Sequence, residues 1–441
     1  MAVYGSIMAA LLMLFPATLF ASEGEGVLFP SWSIVFFVAL LLSIAVIPLI
    51  SGEWWGKRYG YVSLALAIPA AVVIVFHEKM LLLDTLKDYV SFIILLGSLF
   101  VISGGIVIKT SARGKPLLNT VFLLIGAVFA SFIGTTGASM VLIRPLIRAN
   151  RWRTHKLHTF IFFIFLVSNI GGLLTPLGDP PLFLGFLRGV PFSWTFRLFP
   201  VWLFAVAILL VIYFLIDSRL VKKENEEALL EELDDAPAEG LKIRGSVNFV
   251  FLAMVIGSFF IPPVAREALM VAAAALSLNF TPVALREENA FTYHPIIEVA
   301  ILFAGIFVTM VPPMKILEAS GNSLGVDSPW KFFWASGSLS SFLDNAPTYL
   351  VFTSAAKGVA VAKGIVTGLV AGVPEIFLKA ISVGSVFMGA NSYIGNGPNF
   401  MVKAICEENE VRMPSFFGYM AWSVGILVPL FIVITLLFFR G

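Results

Sequence analysis

Asp344 and Asp179 are the two acidic residues hardest to explain by packing alone. Each lies inside a long apolar run, in Ser341-Phe342-Leu343-Asp344-Asn345-Ala346-Pro347-Thr348 and in Leu174-Thr175-Pro176-Leu177-Gly178-Asp179-Pro180-Pro181. A carboxylate held away from bulk water is an oxygen ligand for a hard cation such as sodium, and it is also a proton carrier. Asn169, Thr175, Asn345, Thr348, Asn391, Asn396 and Asn399, with Thr135, Thr136 and Ser139 upstream, offer neutral oxygens or amide donors that could complete a coordination shell. Gly178 and Gly395 permit the backbone turns that a gap in a helix needs. Pro176, Pro180, Pro181, Pro347 and Pro398 remove donors and stop a helix from re-forming. For Asp179 the competing reading is simple helix capping.

These stretches come in pairs. Ser131-Phe132-Ile133-Gly134-Thr135-Thr136-Gly137-Ala138-Ser139 aligns without a gap on the stretch around Asp344, with Gly134 under Asp344 and Gly137 under Pro347. Each copy is followed by a second break, at 174–181 and at Ser392-Tyr393-Ile394-Gly395-Asn396-Gly397-Pro398-Asn399. Similarity continues upstream, where Phe92-Ile93-Ile94-Leu95-Leu96-Gly97 lies over Ala300-Ile301-Leu302-Phe303-Ala304-Gly305.

The elements that must carry these breaks are membrane helices. Of 441 residues 59% are apolar and 13% charged, with a mean hydropathy of +0.95, far from soluble domains, in which about a quarter of residues are charged. The expected fold is an all-α polytopic membrane protein. Spanning segments are expected at 31–50, 60–76, 89–108, 157–189 and 197–216, then at 247–262, 266–284, 296–313, 375–405 and 415–439. Five crossings per half is an odd number, so the second half should be inverted. The expected plan is a first repeat at 27–216, with a re-entrant hairpin at 117–149 and an interrupted helix at 157–189. A cytoplasmic linker at 217–246 leads to a second repeat at 247–441, with a hairpin at 331–356 and an interrupted helix at 375–405. Residues 1–26 read as a cleaved signal peptide or an extra helix.

Charge supports the first hairpin. Lys109, Arg113 and Lys115 precede it, Arg144, Arg148, Arg151, Arg153 and Lys156 follow it, and no acidic residue occurs from 109 to 158. Both flanks therefore read as cytoplasmic, and a segment with both ends on one side dips in and returns. Non-helical backbone at its tip is tolerated only when buried in protein or lining a cavity. Inverted repeats with interrupted helices in matching positions point to a secondary transporter with a midplane site.

Other features read more plainly. The acidic run from Glu224 to Glu239 is expected to be a solvated surface helix. His155 and His158 are expected in an interfacial loop, Arg144 at the surface and Glu298 at a helix end. One cysteine, Cys406, leaves no intramolecular disulfide or CxxC centre. No phosphate loop or nucleophile elbow supports an enzyme. A passive channel is a further alternative, and nothing in the composition suggests a nucleic-acid partner.

The paired tips, Thr175-Pro176-Leu177-Gly178-Asp179-Pro180-Pro181 and Gly389-Ala390-Asn391-Ser392-Tyr393-Ile394-Gly395-Asn396-Gly397-Pro398-Asn399 resemble the ion transporter superfamily, and within it the citrate transporter or NhaD-type sodium/proton antiporter branch. The resemblance covers roughly residues 30–440. It implies homodimers and elevator-like alternating access; a cell (inner) membrane is the expected location, with sodium or protons as coupling ions and no other cofactor. Dicarboxylate members carry Ser-Asn-Thr at the tips, whereas here Gly134-Thr135-Thr136 and Asp344-Asn345-Ala346 stand in its place. With two aspartates, that favours sodium/proton antiport, with sodium at Asp344 and Asp179, over sodium- or proton-coupled citrate uptake.

Overall fold

A computed structural model describes residues 29–109, 112–224, 242–320 and 324–440. Residues 1–26 and the acidic run beyond Glu224 lie outside or almost wholly outside the described residues, so neither expectation is addressed there. The chain is an all-α polytopic membrane protein. Seven described helices are long and apolar enough to cross a bilayer, and the only strands among the described residues are four short ones.

The longest helix, α1 (Ile34–Ser103), leaves helical backbone geometry at Ser51 and Glu78. Both points sit among charged residues, Glu53, Lys57 and Arg58 at one and His77 and Lys79 at the other, which are costly to keep in lipid. The chain reverses at each. The Phe29 and His77 rings lie 5.3 Å apart, although a straight helix between them would span about 70 Å. Ser63 and Tyr89 donate to adjacent carbonyls, Ile301 and Ala300. Thus α1 supplies the three passes expected at 31–50, 60–76 and 89–108.

Next come α2 (Pro116–Ile133) and α3 (Thr135–Ala149), separated only by Gly134, whose φ of 80° favours glycine. The pair folds back on itself. A Cβ on Gly126 would meet Leu142, Asn119 Nδ2 donates to Asn150 Oδ1 at 2.9 Å, and Gly114 N–H donates to the Ala149 carbonyl at 2.7 Å. The far ends are fixed by a buried polar cluster around Asp217, on α6 (Phe199–Val221). Arg153 and His158 pair with it, Tyr213 donates to it, and all four side chains are at most 2% exposed. This corrects the loop expected for His158, which sits in the first turn of α4 (Leu157–Leu166). Asp217 is likewise helical, so the linker starts after Val221, and Glu224 then accepts from the N–H groups of Thr154 and His155.

Phe160 through Leu166 on α4 are each fully buried; a helix apolar all round belongs at the centre of a bundle. Its chain breaks at 167–179 and resumes as α5 (Pro180–Leu187). After α6 the strands β1 (Val107–Lys109) and β2 (Lys242–Arg244) pair antiparallel. Then follow α7 (Val247–Ser258), α8 (Pro263–Phe280), α9 (Val283–Glu288), α10 (His294–Thr309) and α11 (Val311–Ser320). The crossing expected at 266–284 corresponds to α8, which carries Arg266 and Glu267 near its start and is not among the seven apolar spans.

A second folded-back pair comprises α12 (Pro329–Ser340) and α13 (Asn345–Ala362). Its open end is tied by Asp327, paired with Lys331 at 2.8 Å and Lys363 at 3.3 Å. Hydrogen bonds and charge from these two ammoniums hold the Asp327 carboxyl below its usual value. A lowered folded-state value makes the tie fully present above the ordinary Asp value of about 4 and lost as pH falls through the lowered one. Hydrogen-exchange protection around Asp327, corrected for intrinsic rates, is therefore expected to drop on acidification from about pH 5 to about pH 3. Unchanged protection would contradict it. The short strands β3 (Leu369–Val370) and β4 (Val373–Pro374) lead into α14 (Glu375–Met388), a second break, α15 (Gly397–Glu408) and the final span α16 (Phe416–Phe438).

Candidate functional site

Beyond the two bends in α1, four breaks among the described residues, between α2 and α3, α4 and α5, α12 and α13, and α14 and α15, meet at one side chain. Asp179 is 1% exposed. Its Oδ1 accepts from Thr135 Oγ1 at 3.0 Å and from Asn396 Nδ2 at 3.1 Å, and its Oδ2 accepts from Asn345 Nδ2. Thr135 opens α3, Asp179 precedes α5, Asn345 opens α13 and Asn396 precedes α15. Four helix N-termini, each the partial positive end of its helix, therefore meet at one carboxylate, which is held by side-chain donors; α5 opens on Pro180 and Pro181, which have no N–H to offer.

The local chain path explains why. At the first interrupted helix Gly178 passes so close to Gly172 that a Cβ would lie 2.1 Å from the Gly172 carbonyl oxygen, and at the second a Cβ on Gly395 would lie 2.5 Å from that of Gly389. Each break is stitched to its hairpin by the same bonds. Ser131 Oγ donates to the Gly171 carbonyl and Ser341 Oγ to that of Met388. Thr175 Oγ1 donates to the Ser131 carbonyl and Ser392 Oγ to that of Ser341. The Leu177 and Ile394 N–H groups then donate to Thr175 Oγ1 and Ser392 Oγ, at 3.1 and 3.3 Å.

Asp344 stands apart from this knot. Its Oδ1 accepts from the Ala346 N–H at 2.9 Å, capping α13, and Asp344 lines a cavity offering about 100 Å³ to water-sized molecules. Thr135, Thr136, Gly178 and Asn396 share that lining with apolar residues of α1 and α10, and no Lys or Arg does. Asn345 is fully buried and its Oδ1 has no hydrogen-bond donor among the described residues. An acceptor buried in this way costs about 1–3 kcal/mol, which a cation or a water at that oxygen would offset.

Of the residues singled out in the sequence, Thr135, Asn345 and Asn396 each bond Asp179, and Thr135 and Asn396 also line the cavity with Asp344, Thr136 and Gly178, while Asp179 and Asn345 lie behind that lining. Asn169 and Asn399 form a layer behind: Asn169 Nδ2 donates to Asn399 Oδ1 at 2.7 Å, and Asn396 Nδ2 lies 3.3 Å from Asn169 Oδ1. The others turn to the scaffold. Thr348 bonds the Asp344 carbonyl, Ser139 bonds Ser168 Oγ, and Asn391 bonds Ser341 Oγ. Thr175 and Gly395 shape the breaks, and Arg144 is not in the cavity lining. Cys406 is fully buried. Among the described residues no cluster of three or more His, Cys, Asp or Glu side chains could hold a metal.

Sequence reasoning missed Ser131 and Ser341 as fasteners, although the shared Ser-Phe opening of the two aligned stretches was a usable signal. The apolar lining from Leu96, Leu99, Pro295 and Val299 left none. No curated protein matches the chain. A family model described as Putative citrate transport matches residues 27–439. With nearly the whole length matched and the breaks of several membrane helices gathered round one buried carboxylate, the chain belongs to that family and is a multi-pass membrane transporter.

Proposed function

We propose that this chain exchanges sodium for protons through the site at Asp344 and Asp179. The observation that carries this reading is where Asp179 stands. Helix N-termini attract anions, and a carrier of anions would leave the meeting point of four of them free for a substrate carboxylate. Here the protein's own carboxylate fills it, with three side-chain donors already engaged. Asp344 faces the cavity beside it, and no cationic side chain lines that space. A tricarboxylate would meet two acids and no Arg or Lys. A desolvated monovalent cation in the cavity would meet the Asp344 carboxylate and the lining residues Thr135, Thr136 and Asn396.

On this reading the two halves are inverted repeats, the Lys- and Arg-rich ends of the first hairpin face the cytoplasm, and the two tips expose one site to each side in turn. A homodimer in the inner membrane, with sodium and protons as the only coupling ions and no enzymatic step, completes the proposal.

Sodium- or proton-coupled uptake of citrate or a related carboxylate is the second reading. It is favoured by the family's description. Purified protein in vesicles separates the two. Sodium-evoked collapse of an imposed pH gradient without citrate is expected, and saturable labelled-citrate uptake is not. Citrate uptake without such collapse would reverse the assignment, and current with no coupling gradient would make the protein a channel.

A further inference from the structure

The cavity beside Asp344 lies on a seam. On one side are the site-bearing helices α5 and α13; on the other are α1, α10 and α11, which carry none of the site residues. Four chain segments flank this seam in the same order, and three of them show the same three layers. On α1 the cavity residues Leu96 and Leu99 are followed, moving away from the charged strands β1 and β2, by Phe92 and then Asp88. On α5 the order is Pro180, Phe183, Arg188 at its end. On α10 and α11 it is Val299, then Phe303 and Phe307, then Glu318, and on α13 it runs from Asp344 to Lys357.

The middle layer is a seal. Phe92 lies 4.8 Å from Phe303, 5.4 Å from Phe307 and 6.3 Å from Phe183, ring centre to ring centre, with Phe92, Phe183 and Phe307 all at most 1% exposed. Beyond it, Arg188 Nε pairs with Asp88 Oδ2 at 3.1 Å and Lys357 Nζ approaches Glu318 Oε1 at 3.9 Å. Each pair joins a site-bearing helix to a helix on the other side of the seam. At about 1.5 Å per helical residue, Lys357 lies roughly 20 Å along α13 from Asp344.

We propose that this aromatic layer and the two ion pairs Arg188–Asp88 and Lys357–Glu318 form the closed gate on the face opposite the cavity. On this proposal, access to the cavity from that face requires both pairs to part and the Phe92 cluster to separate. The inference rests on the chain being a carrier with two-sided access, but not on which ion or carboxylate it carries. All four gate charges are about one quarter to one third exposed, so the pairs are weak enough to break in each cycle.

The test reads access rather than transport. In a Cys406→Ala background, Ser354→Cys places a reporter at a position 3% exposed, in the small space between Arg188 and Lys357. A membrane-impermeant maleimide should label it slowly in nanodiscs. Adding Asp88→Asn with Glu318→Gln should raise the labelling rate roughly threefold or more, because two weak ties bias the closed state, and Asp88→Glu with Glu318→Asp should return it toward the parent rate. Equal rates in all three would overturn the gate. As a second measurement, oxidising Asp88→Cys with Arg188→Cys should stop whatever flux the vesicles show, reversibly by reductant, and flux through the cross-linked protein would also overturn it. Failure of sodium/proton exchange alone leaves the labelling result standing.

Discussion

Sodium-driven proton movement is expected to fall at least about 100-fold in Asp344→Asn, with little change in thermal stability. The carboxylate makes one capping bond, to the Ala346 N–H, and an Asn side-chain oxygen caps a helix as well as an Asp does. What the substitution removes is the charge facing the cavity. Two charge-assisted contacts to a bound ion, at about 1.5 kcal/mol each, amount to about 3 kcal/mol or two powers of ten in binding. The same loss is expected for Asp179→Asn, for a different reason. The new amide can keep its oxygen toward Thr135 and Asn396, and Asn345 can turn its own amide to accept from the new NH2. The bonds around the site survive that turn, but the negative charge behind the cavity is gone. Asp179→Asn should therefore fold normally and carry nothing. Asp179→Leu should do neither, because three buried donors lose their acceptor at about 1–3 kcal/mol each. Vesicle flux and melting of the purified variants read both quantities, and proton movement that survives Asp344→Asn would end the antiport reading.

How much of this was legible beforehand follows from which forces leave a mark on residue type. Apolar runs broken by Gly, Pro and Asp are visible because lipid forbids them without cause, so the breaks at 134, 178, 344 and 395 could be placed to within a residue or two. The Lys and Arg residues flanking 117–149 predict a segment that turns back, and α2 and α3 do fold back on each other. What was not readable is which polar groups face one another. The sequence ranks Asp344 above Asp179, since Asp344 has fewer excuses as a cap. The structure gives Asp179 the central place, because four chain segments distant in sequence converge there and nothing local records that. The basic stretch around His158 predicts a loop, whereas Asp217, far along the chain, draws it into the protein. The seam between α1 and α5 left no trace either, since Phe92 and Leu96 look alike whether they face lipid, a partner helix or a cavity.

Gly178→Ala is expected to prevent the protein from reaching its native state, while Gly397→Ala, also beside the site, should be silent. The contrast isolates the break from the chemistry. At Gly178 an added Cβ would lie 2.1 Å from the Gly172 oxygen and 2.7 Å from its carbonyl carbon. Those are backbone atoms that no rotamer change can move. The Gly178 carbonyl also accepts from the Thr135 N–H at 2.9 Å, so any shift that relieves the clash pulls the first hairpin tip from Asp179. Overpacking a well-filled interior usually costs about 1–3 kcal/mol. With backbone on both sides and the tip bond at stake, about 3 kcal/mol or more is expected. Gly397 begins α15 with nothing within 4 Å of its would-be Cβ, so its substitution should stay within about 0.5 kcal/mol. Yield of monodisperse protein and melting temperature would register the difference. A Gly178→Ala protein that melts like the parent would mean that the two crossing strands are not held in contact, and the meeting of four helix ends on Asp179 would lose its structural basis.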